Sequence, residues 1–494
     1  MMARASDYRG VLLAVFSLAL LAAPLLAATE TPLRVDVAEH RLANGLTLLM
    51  IEHRQAPVVS CSVFYRVGSA NEEPGCTGIS HLLEHMMFKG TRTVGTRDWK
   101  AEKPLLDRIE AIHERLGELE GGSGDAGEIS RLHSELADAE RRADGLVVRN
   151  ELWKLYMSSG AEDLNAGTGR DRTQYFCSLP ANRIELWMAL ESDRMRNAVF
   201  REFYRERQVI LEERRLTVDD SPEGAFWEQL FATSLIAHPY RWPVIGWKSD
   251  IEHLTLPMVD AWYRRYYAPN NAIVVIAGDI APRQVIALTE RYFGPIPAQP
   301  PPPPVVTREP PQRGPREARL ALEASPRIAL AFHKPAVESD DDIALNVLEN
   351  ILSSGRTSRL YRRLVQEKRV AVSVSASCAP AKYPFLFVIH AIPRRPHTVD
   401  DVARALREEL DALTRDPVSD WELAKARNQI EADFVRGLES ASELASVVGT
   451  YETIDRWDYV NRYIPRVKAV TPLDLGRVAH DYLTEDKCTT VIIR

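Results

Sequence analysis

Early in the chain the spacing of apolar positions changes from a strand period to a helical one. RVDVAEHRL and LTLLMIE flank Asn44-Gly45, a dipeptide that tolerates the positive φ of a tight turn, so the pattern predicts a β-hairpin. VVSCSVFYR, from Val58 to Arg66, predicts a third strand. Near Thr77-Gly78 a helix opens and carries ISHLLEHMMF. A strand meander continued by helices is the start of an α+β domain.

Between about residues 102 and 156 the pattern differs. Leu105, Ile109, Ile112, Leu116 and Leu119 recur at alternating spacings of four and three, GGSGDAG interrupts, and Ile129, Leu132, Leu136, Ala139 and Ala143 resume the repeat. This predicts an antiparallel helical hairpin inserted in the first domain, either projecting from it or packed on its surface. Residues 298–315 are proline-rich and predict a stiff, extended linker without a core of its own. The segments on either side close alike. WYRRYYAPNNAIVVIAGDI and VAHDYLTEDKCTTVIIR both run helix, polar turn, β-branched strand. The expected architecture is two similar α+β domains, each an antiparallel sheet with helices, over residues 29–297 and 316–494.

Composition narrows the function. Across 494 residues, Lys+Arg 62 against Asp+Glu 69 gives a net charge of −7, which argues against nucleic acid as a partner. Residues 1–28 have a positive start at Arg4 and Arg9, an apolar stretch from Val11 to Ala23 and small residues at Ala27 and Ala28. They predict a signal peptide, with an uncleaved anchor as the rival, and hence export, to a bacterial periplasm. No later run is apolar and long enough for a membrane span. The five cysteines are scattered and form no CxxC, so neither a disulfide scaffold nor a cysteine zinc knuckle is expected.

The chemistry concentrates in His81-Leu82-Leu83-Glu84-His85. On a helix, positions i, i+3 and i+4 share a face, so both imidazoles can reach one metal with the Glu84 carboxylate beside it. Two neutral imidazoles suit Zn²⁺, and a neighbouring carboxylate can take a proton from water on the metal. The competing reading is a solvated helix face. A third ligand is needed, and Glu206 and Glu213 on FYRERQVILEERRL lie two helical turns apart on one face. Spacing alone does not choose Glu213 over Glu212.

TGISHLLEHMMFKGT (Thr77 to Thr91), followed by ERQVILEE (Glu206 to Glu213), closely resembles the pitrilysin/insulinase family of zinc metallopeptidases, the inverzincins. The resemblance runs from about residue 33 to the end, and with the helical insertion set aside the two motifs stand at the family's usual separation. It implies one Zn²⁺ per chain held by His81, His85 and Glu213. It also implies Glu84 as the general base that activates zinc-bound water, and Glu206 as a second acidic residue supporting the site. Two α+β domains would enclose a chamber for peptides or unfolded segments, the second domain being of the inactive type. GAEDLNAGTGRDRTQYF resembles the family's edge strand, where substrate adds as a further strand, and Asn165 and Ala166 match its substrate contacts.

One stretch departs from the family. Members with a complete site place an Arg and a Tyr seven apart in the second half, where this chain has Val365 and Val372. Arg456 and Tyr463 have that spacing in unrelated context. The resemblance therefore implies an endopeptidase that needs a related partner chain lacking HxxEH, as a heterodimer, or else a homodimer. The alternative is a non-catalytic family member acting as a binding or assembly subunit.

Overall fold

The computed structural model describes residues 34–494 apart from Ser123. The expected signal peptide, residues 1–28, lies outside the described residues. The first part of the chain runs β1 (Ala38–Arg41), β2 (Thr47–Glu52), β3 (Val58–Tyr65), α1 (Ile79–Met86), α2 (Trp99–Glu120), α3 (Ala126–Asp144), α4 (Glu151–Ser158), β4 (Glu162–Thr168) and β5 (Thr173–Pro180). It continues with α5 (Ile184–Asn197), α6 (Phe203–Arg214), α7 (Pro222–Ser234), α8 (Lys248–His253), α9 (Leu256–Tyr266), β6 (Ala272–Gly278) and α10 (Pro282–Tyr292). The remainder runs β7 (Arg316–Leu320), β8 (Arg327–Lys334), α11 (Asp340–Ser353), β9 (Ala371–Ser377), β10 (Phe385–Pro393) and α12 (Val399–Arg415). It ends with α13 (Asp420–Arg436), α14 (Ala441–Ile454), α15 (Tyr459–Ala469), α16 (Pro472–Tyr482) and β11 (Cys488–Ile493).

The strands form two sheets, in the orders β1-β2-β6-β3-β5-β4 and β7-β11-β8-β10-β9. Apart from β1, the two orders superimpose strand for strand: β2 on β7, β6 on β11, β3 on β8, β5 on β10 and β4 on β9. The sheets are not wholly antiparallel, since β2 with β6 and β7 with β11 are parallel. In each case the closing strand returns after a long helical crossover to lie beside the opening one, which is the connection a parallel pair requires.

Strand β2 reads TLLMIE, apolar almost throughout, because both faces of its sheet are covered. Leu48 and Met50 face a core built with the first part's own helices, through residues such as Leu83, Trp187 and Val259. Their neighbours Leu49 and Ile51, on the opposite face, pack with Phe64, Ile273 and Val275 against Leu444, Ala445 and Val448 of α14. The reciprocal arrangement holds for the second sheet. Phe226 and Leu230 of α7 cover Ala329, Ala331, Val491 and Ile493. Each sheet thus borrows its second cover from the other part of the chain. Burying one such aliphatic or aromatic side chain is worth about 1.5–3 kcal/mol, so the exchange is a large share of what joins the halves. Gly449 of α14 faces the Phe64 ring with no room for a Cβ, which fixes how closely the helix approaches.

The proline-rich segment forms no strand or helix, yet it is fastened along its length. The Glu309 carboxylate accepts from the backbone N–H groups of Ile236, Ala237 and His238 at 2.8–2.9 Å. The Gln312 side chain donates to the Cys488 carbonyl at 3.0 Å.

The inserted helices α2 and α3 pair antiparallel over Ile112, Leu116 and Leu132, with Arg115 bonded to Glu128 across them. At their root, Glu102 and Arg201 form a fully buried ion pair, N···O 2.6 Å, and the His113 ring stacks on Tyr204 of α6 at 3.4 Å. The hairpin is therefore braced on α6. Helix α4 belongs to the main body, where Leu152 and Tyr156 join the first core.

Candidate metal centre

Helix α1 is held rigidly at its start. Gly78 adopts a left-handed φ of 88°, and a Cβ there would run into the Ile245 carbonyl. The buried Glu72 carboxylate accepts from the N–H of Gly78 (2.8 Å) and of Ser80 (2.9 Å), satisfying donors that a helix N-terminus leaves open. Burial pushes the Glu72 carboxyl up to about 7 despite those bonds. Thr77 Oγ1 donates to Asp250 at 2.7 Å and accepts from the Trp247 N–H at 2.9 Å. Leu82, Leu83 and Met86 sink into the core, which leaves His81, Glu84 and His85 on the opposite side. Across from them α6 is anchored by buried Ile210 and by Arg214, which bonds Glu228 and the Gly246 carbonyl.

These two helices bring His81, His85 and Glu213 together, with one donor atom from each lying within 4.8 Å of the others. The Glu213 carboxylate stands 3.8 Å from His81 Nε2 and 3.6 Å from His85 Nε2. Glu212, the other candidate on spacing, points away, is exposed and pairs with Arg215. Burial, then the neighbouring His85, lowers the His81 imidazolium to about 4, so that ring is neutral at physiological pH. For His85 burial also favours the neutral ring, but the bond and charge of Glu206, with Glu84 and Glu213, outweigh it and raise its pKa. Glu206 accepts from His85 Nδ1 at 2.9 Å and from Lys89 Nζ at 2.6 Å. Although burial opposes it, these two partners hold the Glu206 carboxyl down at about 2. Two imidazole nitrogens and a carboxylate oxygen on rigid elements are a donor set that fits zinc, and the Glu206 bond orients one imidazole as such sites require.

Glu84 lies beside this cluster. Its Oε2 accepts from Thr168 Oγ1 of β4 at 2.6 Å, and burial raises its carboxyl above the usual range against the lowering effect of that bond. Strand β4 is an edge of the first sheet. Asn165 and Ala166 lie on it opposite Phe176 and Tyr175, and the Asn165 carboxamide accepts from the Ala166 N–H at 2.8 Å. Both therefore sit on the edge strand next to α1, but the residue of that strand that reaches the cluster is Thr168. Sequence reasoning passed over Thr168 and Lys89. Lys89 follows His85 by one helical turn, a spacing that could have marked it; a lone threonine carries no such signal. Beside Glu213 a shallow cavity of about 500 Å³ exposes Val209 and Leu216. In the second half Val365 is buried and Val372 is 55% exposed on β9, and neither side chain can donate a hydrogen bond.

Known proteins resemble this chain along most of its length. Residues 48–102 match the insulinase family (peptidase family M16), and residues 253–430 match the M16 peptidase inactive domain. A zinc protease of Helicobacter pylori, PqqE, is 28% identical over 466 residues, covering 92% of this chain and 91% of that protein. The crystal structure of a protease from Helicobacter pylori superposes with a TM-score of 0.79 at 26% identity, over 93% of this chain and all of that one. The periplasmic protease PqqL of Escherichia coli shares the fold, with a TM-score of 0.68 at 18% identity, 94% of this chain matching 48% of that longer one. A His-x-x-Glu-His helix facing a glutamate-bearing helix, two sheets of matching strand order and these relatives lead to one conclusion: the chain carries insulinase-type, or M16, peptidase family domains and resembles proteins named as zinc proteases.

Proposed function

We propose that the chain is a zinc-dependent endopeptidase acting on peptides or unfolded protein segments, with one Zn²⁺ held by His81, His85 and Glu213. The observation that carries the reading is the convergence of these three donors with the Glu84 carboxyl beside them. When bound, zinc supplies Lewis acidity and lowers the pKa of water toward neutrality. Glu84 then acts as the base: held by Thr168 through Oε2, its carboxylate accepts a proton from the attacking water and returns it to the leaving amine. Glu206, itself held by Lys89, keeps the His85 ring turned so that Nε2 faces Glu213. The edge strand β4, with Asn165 and Ala166, receives the substrate backbone as an added strand.

The valines at 365 and 372 favour a divided site, in which a related partner chain supplies the Arg and Tyr that hold the oxyanion; losing one such donor commonly costs about 10²–10³ in rate. The length of PqqL, about twice that of the matched region, is consistent with two such units working together. Among the described residues no helix is long and apolar enough to cross a membrane, and residues 1–28 direct the chain to the periplasm in this reading. The same valines support a second reading, a non-catalytic subunit that binds peptide. Peptide cleavage and zinc content, measured for wild type and Glu84→Gln, alone and with a co-purifying related chain, separate the two. Zinc in both with cleavage lost only in the variant supports the peptidase. Zinc without cleavage in any combination supports the subunit, and absence of zinc overturns the site.

A further inference from the structure

The second half carries a counterpart of the metal helix. Helix α11 follows β8 as α1 follows β3, and it contacts α13 and β9 as α1 contacts α6 and β4. On that correspondence Asn346-Val347-Leu348-Glu349-Asn350 stands where α1 has His81-Leu82-Leu83-Glu84-His85. The apolar positions coincide, Leu83 with Leu348, Met86 with Ile351 and Met87 with Leu352, and each run ends in a left-handed glycine, Gly90 (φ 94°) and Gly355 (φ 74°). Both imidazoles have become carboxamides while the glutamate remains.

Glu349 lines a cavity of about 410 Å³ with Asn346, Asn350, Ile430, Phe434 and Tyr463. Asn346 is committed: its carboxamide oxygen accepts from the Tyr463 hydroxyl and its Nδ2 donates to Glu349 at 3.3 Å. The Asn350 carboxamide oxygen is buried without a partner. Asp433 stands exposed at the rim, bonded to Arg436, and no basic side chain lines the cavity itself. Burial alone pushes the Glu349 carboxyl up to about 7, as expected of an acid that faces no counter-charge. The cavity thus offers acceptors at one end and aliphatic and aromatic walls along its side. Zinc would find no imidazole nitrogen or thiolate sulfur here, and a hard divalent cation would find one buried carboxylate, fewer anionic oxygens than it needs.

We propose that this cavity is a binding subsite for a basic side chain, an arginine or lysine of a peptide, whose stem lies along Phe434 and Tyr463 and whose cationic head bonds Glu349 and the Asn350 oxygen. Such a side chain satisfies the unpartnered oxygen, supplies the missing counter-charge and covers apolar wall with its methylenes. The choice of a peptide as its carrier rests on the function proposed above; the cation preference does not.

The test is a calorimetric titration of the full chain carrying Glu84→Gln, so that turnover plays no part. The probes are N-acetyl-arginine amide and its neutral isostere N-acetyl-citrulline amide. The arginine probe is expected to bind about tenfold tighter or more, the gain of one charge-assisted pair. Adding Glu349→Gln should make the two probes equal, and Asn350→Asp should widen the gap, with circular dichroism verifying the fold of each variant. Equal binding of both probes before Glu349 is changed overturns the proposal, and so does an arginine preference that survives Glu349→Gln. Either result leaves the cleavage and zinc measurements untouched, so the two readings fail separately.

Discussion

Helices α1 and α11 occupy the same station in two sheets of the same strand order, yet only α1 presents imidazole nitrogens. Their buried positions are nearly interchangeable, since Leu83 and Leu348 are fully buried, as are Met87 and Leu352. Their outward positions differ in the atoms that decide chemistry, imidazole against carboxamide. The apolar stripe therefore specifies the helix and its place, while ligation depends on a few side chains that contribute little to packing. What surrounds them matters as well. Across from α1, α6 contributes Glu206 and Glu213; across from α11, α13 turns Ile430 and Phe434 to the cavity and leaves Asp433 at its rim.

The contrast can be broken most completely by giving α1 the side chains of α11. His81→Asn with His85→Asn should abolish zinc binding and peptide cleavage while the circular dichroism spectrum is kept, with metal content read by mass spectrometry. Glu84→Gln should retain zinc yet lower the cleavage rate by about 10²–10⁴, the usual contribution of a positioned base. Glu206→Gln leaves all three donors in place but loosens His85, so zinc affinity should fall about 10–100-fold in a competition titration with a chelator.

The smallest effect concerns α11 itself. The Glu349 carboxyl titrates at about 7 in the folded chain, from burial, against about 4.3 when unfolded. The folded state thus holds this proton more tightly. The stability this contributes is complete below the unfolded value and is lost as pH rises to about 7. Wild type should therefore lose up to about 1–3 kcal/mol more than Glu349→Gln between pH 5 and pH 8, read from denaturant midpoints at the two pH values. Identical pH dependence in both chains would mean that Glu349 is solvated or already paired.

Much of this was legible in the sequence. Asn44-Gly45 turns as its dipeptide predicts, with Gly45 at φ 90° between β1 and β2. The spacing of His81, Glu84 and His85 survives as one helical face because three- and four-residue separations are a property of the backbone alone. Other features needed the third dimension. TLLMIE announces a strand buried on both sides, but nothing local says that its second cover is α14, hundreds of residues away. Glu212 and Glu213 are adjacent in sequence, and only the packing of Ile210 and Arg214 turns the second toward the histidines. Arg456 and Tyr463 show how spacing can mislead. Arg456 lies near Glu39 and Asp458, whereas Tyr463 bonds Asn346 in the second core, so the two share no site. Asn346, Glu349 and Asn350 passed unnoticed because carboxamides carry no ligand signature; their meaning comes from the strand order that sets α11 on α1.

The borrowed helices also govern the order in which the chain can be finished. During synthesis β1 to β6 emerge and can pair, but Leu49, Ile51, Phe64 and Val275 keep an apolar face bare until Ala441–Ile454 follows. Helix α1 is thus complete in sequence long before the sheet beneath it is sealed. A nascent or truncated chain ending after β6 would be an aggregation-prone species and a ready client for a chaperone. The first sheet therefore cannot reach its native, fully covered form before Ala441–Ile454 has been made, and its folding waits on nearly the end of the chain.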